Sequence, residues 1–345
     1  MSALLSHLGA GLPILAAPMA GGPSTPDLVV AAARAGGLGF LAAGYKSPDL
    51  LATQIQAVRA AGVPFGVNVF APNPVPVDPA AYRAYAAEVR READPYGLTL
   101  PADPIEDDDH WADKLDLLVT DPVPWVSFTF GLPGSAAVTA LRDAGTTVLQ
   151  TVTTADEARA AADAGVDALI VQAPAAGGHS ATLTPATPPP PPPVTLPDLI
   201  AQVRQAVGGL PIIGAGGIAT AADVAATLRA GAEAVMVGTV LLRTHESGAS
   251  EPHKNALTDP AFDGTVVTRA FTGRPARALR NHFTDRYDAV APPGYPALHH
   301  LTSPLRKAAT AAGDTRLIHL WAGTGHRHAR PEPTSETLTR LAAAL

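Results

Sequence analysis

Residues 168–180 read Ala168-Leu-Ile-Val-Gln-Ala-Pro-Ala-Ala-Gly-Gly-His-Ser180. The apolar run at its start predicts a short buried strand, Gln172 is the first polar residue after it, and Gly177 and Gly178 let the backbone turn close to a ligand. His179 then follows the end of a strand, where parallel α/β proteins bind ligands. An isolated histidine is more often a loop residue without a role, so the interpretation depends on the rest of the chain.

A helix followed by a buried strand recurs along the whole chain. Ala-rich helical patterns end at five Ala-Gly pairs: Ala35-Gly36, Ala61-Gly62, Ala144-Gly145, Ala164-Gly165 and Ala230-Gly231. Glycine suits the left-handed residue that ends a helix, and the run after each pair is apolar enough for a strand covered on both faces. Hydroxyl residues mark the helix starts at Thr25-Pro26, Ser47-Pro48, Thr154 and Thr220.

Eight strands are predicted: Ile14–Ala17, Leu38–Ala42, Phe65–Val69, Trp125–Phe130, Thr147–Val152, Ala168–Gln172, Pro211–Ala215 and Ala234–Val237. Eight alternating strand and helix units favour an α/β fold of the (β/α)8 TIM barrel type. A doubly wound sheet usually has fewer strands and a glycine-rich dinucleotide turn after the first one, which this sequence lacks.

The predicted domain organisation is a barrel over residues 1–245 and a C-terminal helical region over 246–345 that packs on the substrate side. A helical insertion over residues 71–120 interrupts the barrel after the third strand and is long enough to act as a lid. The six prolines of 188–193 predict a stiff spacer, which we favour over a ligand for a proline-binding domain.

Composition excludes several classes of function. The 345 residues are 47% hydrophobic, carry a net charge of −7 and contain no cysteine. No disulfide, thiolate metal site or iron-sulfur cluster is expected, and scattered basic residues on an acidic chain disfavour nucleic acid as a partner. No apolar run near the start reaches the ~20 residues of a membrane span, so we expect no membrane association and a cytoplasmic location.

Two glycine-rich turns at neighbouring strand ends predict a phosphate site. They contain Gly216 and Gly217 after the seventh strand, and the segment Met236, Val237, Gly238 and Thr239 at the end of the eighth. Barrels commonly bind a cofactor phosphate there through backbone N–H groups and a helix N-terminus, although glycine also serves tight turns. Asn68 in the third strand should point into the barrel mouth and need a polar partner, and the Ala17-Pro18-Met19 backbone could lie against a flat ring.

Together these segments resemble the nitronate monooxygenases, once called 2-nitropropane dioxygenases, of the bacterial class I type. The likeness extends in order through APMAGG, STPDL, AGGLGFLAAG, GVNVF, VQ with AGGH, GAGGI with VGT, TRAFTGRPARALRN and LWAGTG. It implies FMN without a metal, held at Asn68, Gln172, Gly177, Gly217 and 236–239. It also implies that His179 is the catalytic histidine, with Gly178 beside it in the cofactor loop.

The implied reaction is oxidative denitrification of alkyl nitronates, such as propionate 3-nitronate, by O2, in a detoxification role. One electron passes from the nitronate to FMN, and the products are a carbonyl compound with nitrite or nitrate. The alternative on the same barrel is an FMN-dependent NAD(P)H reductase of quinones or enoyl thioesters. Neutral nitroalkanes are further possible substrates, and a homodimer is compatible with the resemblance.

The substrate side departs from the family pattern. Tyr295 matches a family segment near the substrate, with His299 beside it, but Ser303 stands where close relatives are expected to carry lysine. Ala173-Pro-Ala175 and Ser180 also differ from the family residues around the histidine. Selectivity for an anionic substrate is therefore expected to be weaker than in the family, or to come from a cation elsewhere, for example Lys46 beyond the second strand.

Overall fold

A computed structural model describes residues 10–185 and 194–345 of the chain. Within these ranges eight parallel strands close into a barrel, each paired with its neighbours in chain order. They are β1 Ile14–Ala16, β2 Leu38–Ala42, β3 Phe65–Ala71, β4 Trp125–Phe130, β5 Thr147–Val152, β6 Ala168–Gln172, β8 Ile212–Ala215 and β9 Ala234–Val237. The predicted (β/α)8 barrel is confirmed, with strand ends within two residues of the prediction. The proline run 188–193 lies outside the described residues.

Twelve α-helices occur in the described ranges. They are α1 Pro26–Arg34, α2 Pro48–Ala60, α3 Pro79–Ala93, α4 Trp111–Thr120, α5 Ser135–Asp143, α6 Ala155–Asp163, α7 Leu196–Val207, α8 Ala221–Arg229, α9 Glu251–Ala256, α10 His282–Tyr287, α11 Ala297–Ala312 and α12 Thr334–Ala342. All five glycines of the Ala-Gly pairs have positive φ, as helix ends require. Thr25, Ser47, Thr154 and Thr220 each accept a hydrogen bond from a first-turn N–H group.

The barrel interior is filled by large apolar side chains from alternate strand positions. The cluster includes Phe40 and Trp125 together with Leu149, Ile170 and Ile213. A second apolar layer separates the strands from the outer helices. Because both faces of each strand are covered, the strands are apolar runs rather than alternating patterns.

The insertion packs against the C-terminal region and forms a second core with it. Helix α3 buries Tyr82, Tyr85 and Val89 there, against Leu298 and Leu301 of α11. Helix α4 instead packs between α2 and α5 in the outer ring of the barrel. The added segment between β3 and its ring helix is therefore residues 72–110.

The C-terminal region contains strands as well as the expected helices. Strand β10 (Thr265–Thr268) pairs antiparallel with β11 (Ala276–Leu279), and β11 pairs with the short strand β7, Gly178–His179. Ala276 is the residue opposite His179. The predicted catalytic loop therefore contributes the third strand of this small sheet. The other two strands begin about 30 residues or more after the last barrel strand.

The last helix belongs to the barrel. Helix α12 packs against α1 and α8, and its Leu338 and Leu341 are buried in the layer between strands and outer helices. It takes the place of the helix that should follow β9. The expected boundary after residue 245 therefore does not hold for this helix, and the 246–333 segment is an insertion before it.

Candidate active site

A cavity of about 360 Å³ opens at the carboxyl ends of the barrel strands, beneath the C-terminal region. Most predicted site residues line it: Ala17, Pro18, Met19, Asn68, Gln172, Gly177, Gly178, His179, Gly216, Gly217, Met236, Val237, Gly238, Thr239 and His299. Tyr295 lies just behind this wall, with its ring 5.9 Å from that of His179. The structure thus brings together predicted residues from five barrel strand ends and from α11. Within the described ranges, no group of three or more His, Cys, Asp or Glu is arranged to hold a metal.

The two glycine turns form one end of the cavity. Among the described hydrogen bonds, none is donated by the backbone N–H groups of Gly216, Gly217, Gly238 or Thr239. The hydroxyl of Thr239 accepts from the N–H of Gly323, which brings the LWAGTG segment to the same place. A ring of unpaired amide donors of this kind suits a phosphate.

The two residues just before helix α8 have no free backbone amides for an anion. The carboxylate of Asp223 accepts from the N–H groups of Ala219 and Thr220, at 3.0 and 2.8 Å. Asp223 and Thr220 form a capping box, so these amides are already satisfied by the chain. An anion at this end of the cavity can therefore bind the glycine turns, but not the amides of Ala219 and Thr220.

Asn68 and Gln172 both face the cavity, but their side chains form different hydrogen bonds. The Nδ2 of Asn68, which is 3% exposed, donates to the hydroxyls of Ser127 and Thr129 at 2.9 and 3.0 Å. Its Oδ1 remains available to a ligand. Gln172 instead spans the histidine loop, because its Nε2 donates to the carbonyl of His179 and its Oε1 accepts from the N–H of Ala181.

The imidazole of His179 lies among aromatic rings and is uncharged at neutral pH. Its Nε2 is 2.9 Å from the hydroxyl of Thr272, and its ring contacts those of Phe130 and Trp321 with centroids 5.5 and 5.3 Å away. Burial, with a smaller contribution from the nearby cations of Arg274 and Arg306, lowers the pKa of His179 to about 3.

Arg274 explains how the histidine loop is held. Its guanidinium is fully buried, lies 4.0 Å from the centroid of the Phe130 ring, and donates to the carbonyls of Ser180 and Thr182. Arg277 donates to the carbonyl of Pro174, on the other side of the loop. Neither arginine forms an ion pair among the described residues, and both donate to carbonyl groups of the loop that carries the histidine.

Phe130 has an uncommon backbone conformation at the end of β4. Its φ of +82° is a strained value for a residue with a side chain, worth on the order of 1–3 kcal/mol. The conformation puts the ring between the Arg274 guanidinium and the rings of His179 and Tyr295. Packing from three sides holds the strained residue in place.

Helix α11 forms the roof of the cavity. The ring of His299 stacks on that of Tyr45, with centroids 4.1 Å apart, and the hydroxyl of Tyr295 donates to that of Tyr45 at 3.3 Å. Lys46 does not join this group. Its ammonium donates to Oε1 of Gln54 at 2.6 Å and does not line the cavity, because the chain turns toward α2 after Tyr45.

Several lining residues were not anticipated from the sequence: Thr272, Arg306, His319, Trp321 and Gly323. Arg306 alone had a local signal. It lies seven residues after His299, which is two helical turns and so the same face of α11. The others reach the cavity only through pairing of distant segments.

Comparison with known proteins identifies the family. The nitronate monooxygenase family profile matches residues 3–343. A probable nitronate monooxygenase of Staphylococcus saprophyticus is 35% identical over 326 residues, 91% of this chain and 89% of the relative. One of Staphylococcus aureus strain Newman is 33% identical over 342 residues, covering 98% and 95%.

Comparison with solved structures supports the same family. A nitroalkane oxidase from Streptomyces ansochromogenes is 48% identical, with a TM-score of 0.93 over 100% of this chain and 98% of the other. FabK from Thermotoga maritima is 26% identical, with a TM-score of 0.76 over 99% and 94%. No helix in the described part of the chain is long and apolar enough to cross a membrane. By profile, by close relatives and by fold, this chain belongs to the nitronate monooxygenase family and is an enzyme of that kind.

Proposed function

We propose that this enzyme uses FMN and O2 to oxidise small alkyl nitronates, and neutral nitroalkanes more slowly, to carbonyl compounds and nitrite or nitrate. One observation carries the proposal. A single cavity has unpaired backbone amides at one end and a neutral histidine beneath an arginine at the other, and no carboxylate lines it within the described residues. Such a cavity suits an anionic cofactor beside a small anionic substrate.

The residues at the amide end fit FMN. The N–H groups of Gly216, Gly217, Gly238 and Thr239 would hold the phosphate, and Oδ1 of Asn68 would accept from the ring system. A Cβ on Gly217 would come within 2.9 Å of the Ala175 side chain, so little room exists there for anything but backbone. When bound, FMN accepts electrons from the substrate and passes them to O2.

His179 works as a neutral imidazole in this proposal. It can donate one N–H to a nitro oxygen of a nitronate, or accept the α-proton of a neutral nitroalkane. In the second case the C–H bond breaks, the proton moves to a ring nitrogen, and the electron pair remains on the substrate as the nitronate. An imidazole with a pKa of about 3 is a weak base, so preformed nitronates should be the better substrates.

The surrounding side chains keep this imidazole in position and dry. Thr272 holds Nε2 at 2.9 Å, and Gln172 holds the backbone carbonyl. The rings of Phe130, Tyr295 and Trp321 surround it, which limits the access of water. We therefore assign these residues to orientation and His179 to substrate contact.

The discriminating experiment is anaerobic mixing of the purified protein with either an alkyl nitronate or a nicotinamide. The protein should be yellow, release FMN on denaturation, and bleach rapidly with the nitronate but slowly or not at all with NADH and NADPH. Fast bleaching by a nicotinamide without any response to nitronate would favour the reductase alternative. Colourless protein that FMN does not reconstitute would remove the cofactor assignment altogether.

A His179→Asn variant separates the two roles of the histidine. Asparagine keeps a donor but cannot take a proton at neutral pH. FMN should stay bound, and turnover of neutral nitroalkanes should fall more than turnover of preformed nitronates. Equal losses would mean that His179 only binds the substrate.

A further inference from the structure

Arg306 is held so that one nitrogen of its guanidinium is left for a ligand. Its Nε donates to the hydroxyl of Thr302 at 3.0 Å, and its Nη2 donates to the carbonyl of His299 at 2.9 Å. Nη1 has no partner among the described residues, and the side chain, although only 6% exposed in total, lines the cavity. Two anchored nitrogens fix the plane of the guanidinium and direct the third.

The charge of Arg306 is not compensated by the protein. Within the described ranges it forms no ion pair, and it is the one charged side chain that lines the cavity. Burial lowers its pKa to about 10, which still leaves it protonated at neutral pH. A buried cation without a counter-ion is unfavourable, so an anion that enters the cavity gains a ready partner.

The neighbouring polar groups also favour an anion. Nδ1 of His299 faces Nη2 of Arg306 at 3.3 Å and must act as acceptor, so the ring proton of His299 is on Nε2. Burial and the Arg306 charge lower the pKa of His299 well below its usual value, which keeps the ring neutral. The hydroxyl of Tyr45 accepts from Tyr295, which leaves its own proton to donate. The roof therefore offers N–H and O–H donors around one cation.

We infer that Arg306 is the residue that binds the negatively charged nitro group of the substrate and so selects anionic nitronates. It takes the role expected of a lysine at the position of Ser303, from one turn further along the same helix. The identity of the anion rests on the proposed function, whereas the anion site itself does not. Lys46, whose ammonium is bound to Gln54, plays no part in it.

Nitrate is the probe for this site because it is planar, carries one negative charge and resembles a nitro group without reacting. Isothermal titration of the FMN-saturated protein with nitrate, at constant ionic strength, should give one site. Arg306→Met and Arg306→Gln should each weaken nitrate binding by about 10-fold to 100-fold, the usual cost of losing a charge-assisted hydrogen bond. The glutamine retains an amide donor toward His299 and serves if the methionine variant does not fold.

Lys307→Met is the matched control. Lys307 is the next residue of α11 and faces solvent, so the variant removes the same charge from the same helix without touching the cavity. Its nitrate affinity should stay within about twofold of the original, as screened surface charges predict. The KM for a nitronate should rise in the Arg306 variants by a factor similar to the loss of nitrate affinity, with a smaller change in kcat.

Three results would overturn the inference. They are an original protein that binds no nitrate, Arg306 variants that bind it within twofold of the original, and a Lys307→Met variant that loses as much affinity as they do. Nitrate binding that depends on Arg306 in a protein that does not oxidise nitronates would keep the anion site and reject the proposed function. Normal nitronate turnover with unchanged nitrate binding in Arg306→Met would keep the proposed function and reject the anion site at Arg306.

Discussion

The pH dependence of nitroalkane oxidation tests whether His179 is the neutral base that its surroundings predict. An ordinary histidine with a pKa of ~6.5 is about 91% neutral at pH 7.5 and about 9% neutral at pH 5.5. As the general base it would lose about tenfold in kcat/KM across this interval. With a pKa of about 3, His179 is neutral at both pH values and the loss should be negligible.

No other group in the cavity should obscure this result. Burial lowers the pKa of His253 to about 4, and those of His299 and His319 lie well below the usual value. Arg306 stays charged throughout the interval, since its pKa is about 10. None of these lining groups changes its charge between pH 5.5 and 7.5.

The assay is oxygen consumption with a neutral nitroalkane at subsaturating concentration, at five pH values from 5.5 to 7.5. We expect kcat/KM to vary by less than about twofold, the margin left for small changes in folding and FMN affinity. His179→Asn should be slower at every pH with the same flat profile. A tenfold decline toward pH 5.5 in the original protein, absent from His179→Asn, would refute the argument that burial and the two arginines keep the imidazole neutral.

Three further predictions concern the supports of the site. Gly177→Ala would bring a Cβ within 2.4 Å of the backbone nitrogen of Gly323. It should lower the free energy of unfolding by about 1–3 kcal/mol in urea melts, whereas Gly209→Ala, with open space around it, should change it by less than about 1 kcal/mol. Thr272→Val keeps the shape but removes the contact to Nε2 of His179, together with two longer contacts to the Arg274 backbone, so kcat/KM should fall about 2-fold to 10-fold. An unchanged kcat/KM would mean that the threonine does not orient the ring. The folded-state pKa of His253, about 4, lies below its unfolded value of ~6.5, so its stabilising effect is present above pH 6.5 and is lost as the pH falls. Between pH 7 and 5 this should remove about 2 kcal/mol of stability, and His253→Gln should lose that much less over the same interval in paired melts.

The barrel could be predicted because its signals are local. An Ala-Gly helix end followed by a short apolar run, as at Ala164-Gly165 before β6, is readable within about ten residues. The same holds for the glycine turns at Gly216 and Gly238, whose backbone needs no distant partner to turn. These elements are where the predicted and observed boundaries agree within two residues.

The substrate side could be predicted only in part, because it is assembled from distant segments. Arg274 donates to the carbonyls of Ser180 and Thr182, which lie 94 and 92 positions earlier in the chain. No local sequence pattern indicates such a pairing. Lys46 was chosen for its position after β2, but the orientation of its side chain depends on Gln54 in the next helix. Arg306 shares a helix face with His299, but only the packing of α11 over the barrel shows that this face covers the cavity.

The position of helix α12 has a consequence for how the protein folds. The ring of the barrel is closed by a helix that follows β9 only after almost a hundred intervening residues, and Leu338 of that helix reaches the turn before β2, where a Cβ on Gly37 would lie 2.9 Å from it. The barrel therefore cannot be completed until the segment that carries Arg274 and Arg306 has been synthesised and folded back over the barrel mouth. The entropic cost of closing so long a loop falls on the barrel itself, which should make folding slow and the two regions unfold in one transition. The proposed cofactor and substrate sites should therefore form a single cooperative unit, and neither should survive separation from the other.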